Sequence, residues 1–114
     1  LCIFVVLIFS PIQNIELNKF NVKLLCNFKI GTLECYKRFI TSINSNFYTA
    51  FNQDEIKLIK TMGLALNKIK SIKKEYPFNG LTSLRELDLS YNEFIEIEPF
   101  SFLNSTNTLY KLDM

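Results

Sequence analysis

The amino-acid sequence predicts an α/β-type solenoid, a stack of repeats that each contribute one short parallel strand. Two observations carry this prediction. Apolar residues in the second half of the chain recur at a constant spacing, as Leu64 and Leu89 do, and an asparagine recurs at the same point of each copy. Within each copy, apolar residues alternate with polar ones as in a strand with one buried face. A strand this short cannot bury its apolar side alone, so a period of roughly 20–50 residues predicts stacked neighbours.

The clearest copy begins at residue 84 and reads LRELDLSYNEFIEI. Moving back 25 positions gives a second copy with the same apolar positions, in which Asn67 stands where Asn92 stands in the first. A third copy begins at residue 109 and is cut off at residue 114. The matching apolar positions are Leu84, Leu87, Leu89, Phe94 and Ile97 in one copy and Ile59, Met62, Leu64, Ile69 and Ile72 in the other.

The segment LTSLRELDLSYNEF resembles the repeat of leucine-rich repeat proteins. The resemblance implies a horseshoe with short parallel strands on its concave side and irregular or 3-10 segments on its convex side. It also implies that Asn67 and Asn92 form a ladder in which side-chain amides satisfy the backbone of the turns. The residues alone leave open a second interpretation, in which Asn92 is an ordinary turn residue after a hairpin strand.

Two cysteines, Cys26 and Cys35, precede the repeats with eight residues between them. In an oxidising compartment such an even pair predicts a disulfide; two free, buried thiols of an intracellular protein are the alternative. A zinc site is excluded because it needs about four ligands and the chain has no histidine. The segment from Cys26 to Ile43 resembles the N-terminal cysteine cap of extracellular leucine-rich repeat proteins, which covers the apolar end of the first repeat.

Residues 1–9, LCIFVVLIF, form an uncharged apolar run. The run is too short to span a membrane, which takes about 20 residues, but suits the hydrophobic core of a secretory signal. We therefore expect a partial signal peptide over 1–14 and a protein that is secreted or displayed on the extracellular face of the plasma membrane. The alternative is a buried strand of the mature fold. Asn104 begins the N-glycosylation pattern Asn-Ser-Thr.

The sequence thus divides into six segments. The expected order is a partial signal peptide (1–14), a cysteine cap (22–43), a degenerate first repeat (44–58), two repeats (59–83 and 84–108) and a truncated repeat (109–114). We expect these to be the N-terminal portion of a longer protein, with a possible membrane anchor beyond residue 114.

Composition argues against several functions. The net charge of +2 is too small to predict nucleic-acid binding. There is no histidine to act as a general base, no glycine-rich phosphate loop and no nucleophile elbow, so we expect neither an enzyme nor a cofactor.

The predicted function is binding of a protein partner, whose identity the sequence does not give. An ordered array of side chains on the concave sheet would present a recognition surface at little conformational cost. Arg85 and Tyr110 are the residue types most often found as interface anchors. The predicted face comprises Lys60, Thr61, Arg85, Glu86, Asp88, Ser90, Tyr110, Lys111 and Asp113.

An alternative function places residues 54–74 in one basic amphipathic helix. Ile59, Met62, Leu66 and Ile69 are spaced three or four residues apart with lysines between them. Such a helix would act as a membrane-surface or regulatory partner-binding segment.

Overall fold

The described residues, 14–72, 77–97 and 111–113 of a computed structural model, form short strands around one apolar core. In chain order the elements are β1 (Ile15–Leu17), α1 (Val22–Leu25), β2 (Asn27–Lys29), β3 (Thr32–Glu34), β4 (Ile40–Ile43), a 3-10 helix (Phe47–Ala50), α2 (Gln53–Leu58), β5 (Thr61–Gly63), β6 (Ser71–Ile72), β7 (Glu86–Asp88), β8 (Glu96–Ile97) and β9 (Lys111–Asp113).

The largest sheet has five strands in the order β2-β3-β5-β7-β9. β2 and β3 form an antiparallel hairpin that turns at Gly31, whose φ of 76° is a backbone conformation that glycine adopts without strain. All other neighbours in this sheet are parallel. Two smaller parallel sheets, β1-β4 and β6-β8, lie outside it.

The period-two alternation of apolar and polar residues determines which side chains of the large sheet face the core. Leu33, Met62 and Leu87 are the central residues of β3, β5 and β7, pair across the sheet and are almost fully buried. Their neighbours along each strand turn to the opposite face. Residues 25 apart are paired between β5 and β7 and between β7 and β9, whereas β3 pairs with β5 at an offset of 29.

Aromatic and aliphatic side chains fill the space behind the large sheet. The rings of Phe47 and Phe78, both fully buried, meet edge to face with centroids 6.3 Å apart. Helix α2 begins at a capping box, in which the Glu55 N–H donates to the Asn52 side chain and the Asn52 N–H donates to the Glu55 carboxylate. This reciprocal pair satisfies two amide groups that the first turn leaves without a helical partner.

The predicted solenoid and its horseshoe shape are wrong. The described residues form a small mixed-sheet domain with few helices, and its sheets are not curled. The large sheet includes the antiparallel hairpin β2-β3, and β1-β4 and β6-β8 are separate from it. A horseshoe builds up from a small rotation at each of many repeats, and the four parallel strands of the large sheet give little rotation to accumulate.

The predicted helix over 54–74 is also wrong across the described residues. Helix α2 ends at Leu58, and β5 begins at Thr61 in the middle of the proposed helix. The apolar residues Ile59, Met62 and Ile69 are buried in the common core instead of lining one side of a helix. Burial of Met62 in a sheet thus outweighs the helical spacing of the sequence.

Candidate functional site

The outward face of the five-stranded sheet includes three of the residues predicted to bind a partner, Thr61, Glu86 and Asp88. We call this surface the sheet face. It consists of the outward residues of β2, β3, β5 and β7, namely Asn27, Lys29, Thr32, Glu34, Thr61, Gly63, Glu86 and Asp88. Because every strand alternates, these residues are on the side opposite to the buried centres of the strands.

The sheet register arranges the face in two rows. In the first row Thr61 is paired with Glu86, and Glu86 with Lys111. In the second row Gly63 is paired with Asp88, and Asp88 with Asp113.

Three carboxylates of the sheet face are oriented by local hydrogen bonds. Asp88 Oδ1 accepts from Ser90 N at 3.0 Å and from Ser90 Oγ at 2.6 Å. Glu34 Oε1 accepts from Tyr36 N at 3.2 Å. Glu86 Oε2 accepts from Thr61 Oγ1 at 3.4 Å. These bonds restrict the side-chain rotamers, so less conformational entropy remains to be lost on binding.

Gly63 adds no side chain to the second row, and the side chain of a neighbouring strand takes its place. The Glu34 carboxylate folds over Gly63 and occupies the space where a Cβ at position 63 would lie. Asp88 flanks the same glycine on the other side. The Glu34 carboxylate therefore covers the centre of the sheet face, on the side of Gly63 opposite to Asp88.

The remaining predicted binding residues lie at the margins of the sheet face or outside the described chain. Lys60 and Arg85 are exposed and precede β5 and β7, and Arg85 N donates to Lys60 O at 2.7 Å. Ser90 follows β7 and bonds with Asp88. Tyr110 lies outside the described residues, as do the glycosylation pattern at Asn104 and nearly all of the proposed signal peptide.

Sequence reasoning missed Thr32 and Glu34, which extend both rows of the face onto β3. The signal was present, since Thr-Leu-Glu at 32–34 alternates like Thr-Met-Gly at 61–63 and Glu-Leu-Asp at 86–88. It was concealed because Thr32 and Thr61 are further apart along the chain than Thr61 and Glu86, so the constant spacing does not reach β3.

The side chain of Asn67 hydrogen bonds with the backbone of two turns, the one after β3 and the one after β5. It is 4% exposed. Its Oδ1 accepts from Arg38 N at 2.8 Å and Ile40 N at 3.1 Å, and its Nδ2 donates to Cys35 O and Leu64 O, both at 2.9 Å.

Asn92 occupies the next turn along the sheet and is half-buried. Its Oδ1 accepts from Ile69 N at 3.0 Å. Its Nδ2 donates to Leu64 O at 2.9 Å and to Leu89 O at 3.0 Å. Leu64 O thus accepts from both asparagines, and the two amides link three successive turns.

The predicted disulfide between Cys26 and Cys35 is confirmed. It joins the residue after α1 to the residue after β3, with both cysteines buried. The bond closes the β2-β3 hairpin at its open end. A disulfide is consistent with an extracellular location.

The described part of the chain holds no cluster of three or more histidine, cysteine, aspartate or glutamate residues that could bind a metal ion. Within the same ranges, no helix is long and apolar enough to cross a membrane.

Comparison with known proteins gives no relative. No protein-family model, no curated protein and no solved structure matches the chain.

Proposed function

We propose that the chain is a secreted, non-catalytic module whose sheet face binds a protein partner. The observation that carries the proposal is the pair of register rows, in which polar side chains stand on strands whose centres are buried. Such a face is held by the core behind it, so binding needs little rearrangement of the backbone.

The chemistry of the face suits recognition of a polypeptide. Carboxylates at Glu34, Glu86 and Asp88 accept hydrogen bonds, the Thr61 hydroxyl oxygen can accept one while it donates to Glu86, and Arg85 at the margin can form bidentate contacts. The Glu34 carboxylate lies over Gly63 and places a hydrogen-bond acceptor at the centre of the face. Mixed polar groups of this kind define an orientation for the partner.

Secretion is supported by the oxidised pair Cys26–Cys35 and by the apolar run over residues 1–9. The resemblance of residues 81–94 to the leucine-rich repeat of extracellular receptors and secreted proteins points the same way. Expression with export from the cell, followed by mass measurement without reductant, tests this part. A product that stays inside the cell with free thiols at Cys26 and Cys35 would contradict it.

Site-specific photo-crosslinking tests the sheet face. A photoreactive amino acid at Thr61 lies on the face, whereas the same group at Thr82 is exposed outside the five-stranded sheet. We expect proteins of the extracellular fluid to crosslink from position 61 and not from position 82. Equal crosslinking from both positions would indicate non-specific contact.

The captured partner then allows a quantitative measurement. We expect Arg85→Ala to weaken its binding about tenfold, since interface arginines often act as anchors. Lys57→Ala is the matched control, because Lys57 is equally cationic and exposed but lies on α2. Unchanged affinity for Arg85→Ala, together with unchanged affinity for Thr61→Ala, removes the sheet face from the proposed function.

A further inference from the structure

A second surface lies beyond the C-terminal ends of β3, β5 and β7. Lys37, Leu66 and Tyr91 each stand three residues after the end of their strand, and each has a positive φ, of 56°, 58° and 56°. Phe39, at 59°, is the remaining non-glycine residue of the described chain in this conformation. For residues with a Cβ the left-handed region costs roughly 1–2 kcal/mol each.

Backbone hydrogen bonds align these turns side by side. Lys37 N donates to Ala65 O at 3.0 Å, and Leu66 N donates to Ser90 O at 3.1 Å. The three turns therefore repeat across the sheet like the strands before them. The side-chain amides of Asn67 and Asn92 donate hydrogen bonds to the backbone carbonyls of these turns.

The bulky side chains on these turns contribute little to the core. Phe39 is 48% exposed, Leu66 49% and Tyr91 77%. Glycine and asparagine adopt the left-handed conformation at lower cost, and an exposed apolar side chain gains little burial energy in return. The choice of leucine and tyrosine here is thus unexplained by stability. Strained residues that persist in this way point to a function of the surface.

Lysines accompany the apolar side chains. We define the turn ridge as Lys37, Phe39, Leu66, Lys68 and Tyr91, which together with Asn67 and Glu93 line a groove of about 180 Å³. Lys68 Nζ lies 5.8 Å from the centre of the Phe39 ring, a cation–π contact that holds the ammonium group beside the groove. Lys70 lines an adjoining cavity with Lys68 and Glu93.

We propose that the turn ridge is a docking surface for an acidic segment of a partner protein that carries apolar side chains. Lys37, Lys68 and Lys70 complement its carboxylates, with Glu93 as the acidic residue among them. The groove is smaller than the roughly 300–1,000 Å³ of typical small-molecule pockets, so it accommodates a single apolar side chain. The turn ridge is distinct from the sheet face, so the experiments on one surface can contradict its proposed role without affecting the proposal for the other.

A fluorescein-labelled peptide of alternating glutamate and phenylalanine is the probe, titrated against the full chain by fluorescence anisotropy. We expect binding that weakens about tenfold in the double variant L66N/Y91N, because the apolar contacts are removed. Asparagine tolerates the left-handed conformation, so these substitutions preserve the turns. Ile30→Gln is the matched control, since Ile30 is fully exposed on the β2-β3 hairpin, and we expect a change of less than about twofold.

Further measurements test the charge preference of the turn ridge and whether its ligand is a peptide or a membrane surface. Lys68→Glu should weaken binding of the acidic peptide and strengthen binding of an alternating lysine and phenylalanine peptide. An alternating glutamate and serine peptide should not bind measurably. The proposal is overturned if L66N/Y91N binds the acidic peptide as tightly as the parent chain, or if the lysine peptide binds the parent chain equally well. A different result would also overturn the proposal: the parent chain binds phosphatidylserine vesicles but not the peptide, and L66N/Y91N abolishes the vesicle binding. The turn ridge would then be a membrane-binding surface.

Discussion

Asn67 and Asn92 occupy equivalent turns after neighbouring strands, yet they differ in how much structure depends on them. Asn67 is buried and its Oδ1 accepts from two backbone amides, Arg38 N and Ile40 N. Asn92 is half-buried and its Oδ1 accepts from one, Ile69 N. The same residue at the same point of a repeat thus contributes according to what the neighbouring turn presents. The turn beside Asn67 carries the disulfide and presents two backbone amides to it, whereas the turn beside Asn92 presents one.

The largest effect should come from removing the amide of Asn67. Asn67→Ala leaves the amides of Arg38 and Ile40 and the carbonyl of Cys35 without this partner, which should lower the free energy of unfolding by about 3–4 kcal/mol. Asn92→Ala should cost about 1–2 kcal/mol, because its site is wetter and has one fewer acceptor bond. Urea denaturation followed by circular dichroism measures both. Equal losses of unfolding free energy would show that the two asparagines contribute equally to stability and would contradict this difference.

Breaking the disulfide should have the next largest effect. The double variant C26A/C35A opens a short loop, for which chain entropy predicts a loss of about 2–3 kcal/mol. Because Asn67 Nδ2 donates to Cys35 O, this loss should couple to Asn67→Ala in a double-mutant cycle and not to Asn92→Ala. If the stability losses of C26A/C35A and of each asparagine variant are strictly additive, the disulfide acts only by restricting the unfolded chain.

Relief of backbone strain should give a smaller, stabilising effect. Leu66→Asn and Tyr91→Asn place a residue tolerant of positive φ in each turn, and each should raise the free energy of unfolding by about 0.5 kcal/mol. Ile95→Asn, an exposed residue outside the left-handed positions, is the control and should be neutral or slightly destabilising. Thermal melts compare the three. Destabilisation by Leu66→Asn would show that its side chain packs more productively than its exposure suggests.

The smallest effect is expected at the centre of the sheet face. Gly63→Ala forces the Glu34 carboxylate to move, but that group is the end of a flexible side chain. Alanine also costs less entropy than glycine in a strand, so the net change should lie within about 0.5 kcal/mol. Urea denaturation should therefore show almost no shift. A loss comparable to that of Asn92→Ala would mean that the position of Glu34 is important to the fold.

The sequence contained the spacing of the strands but not the shape that they build. Alternation around Met62 and Leu87 was sufficient to place β5 and β7 side by side, because a strand slipped by one residue would expose its buried centre. The division of the strands into three sheets depends on how distant segments meet, which a local period does not encode, and the β2-β3 hairpin turns locally at Gly31 outside the repeating spacing. Likewise Lys60 and Arg85 were placed near the binding face by spacing alone, whereas Glu34 came from a repeat of different length.

At the start of β5 and again at the start of β7, one carbonyl oxygen accepts hydrogen bonds from two successive backbone amides. Gly31 O accepts from both Lys60 N and Thr61 N, at 2.8 and 2.9 Å, and Lys60 O accepts from both Arg85 N and Glu86 N, at 2.7 and 3.1 Å. These bonds fix the register of each strand against its neighbour at the residue where the strand starts. They do so although more residues connect β3 to β5 than β5 to β7. Insertions or deletions in such connecting segments need not displace the strands. We therefore expect these segments to vary in length between related sequences.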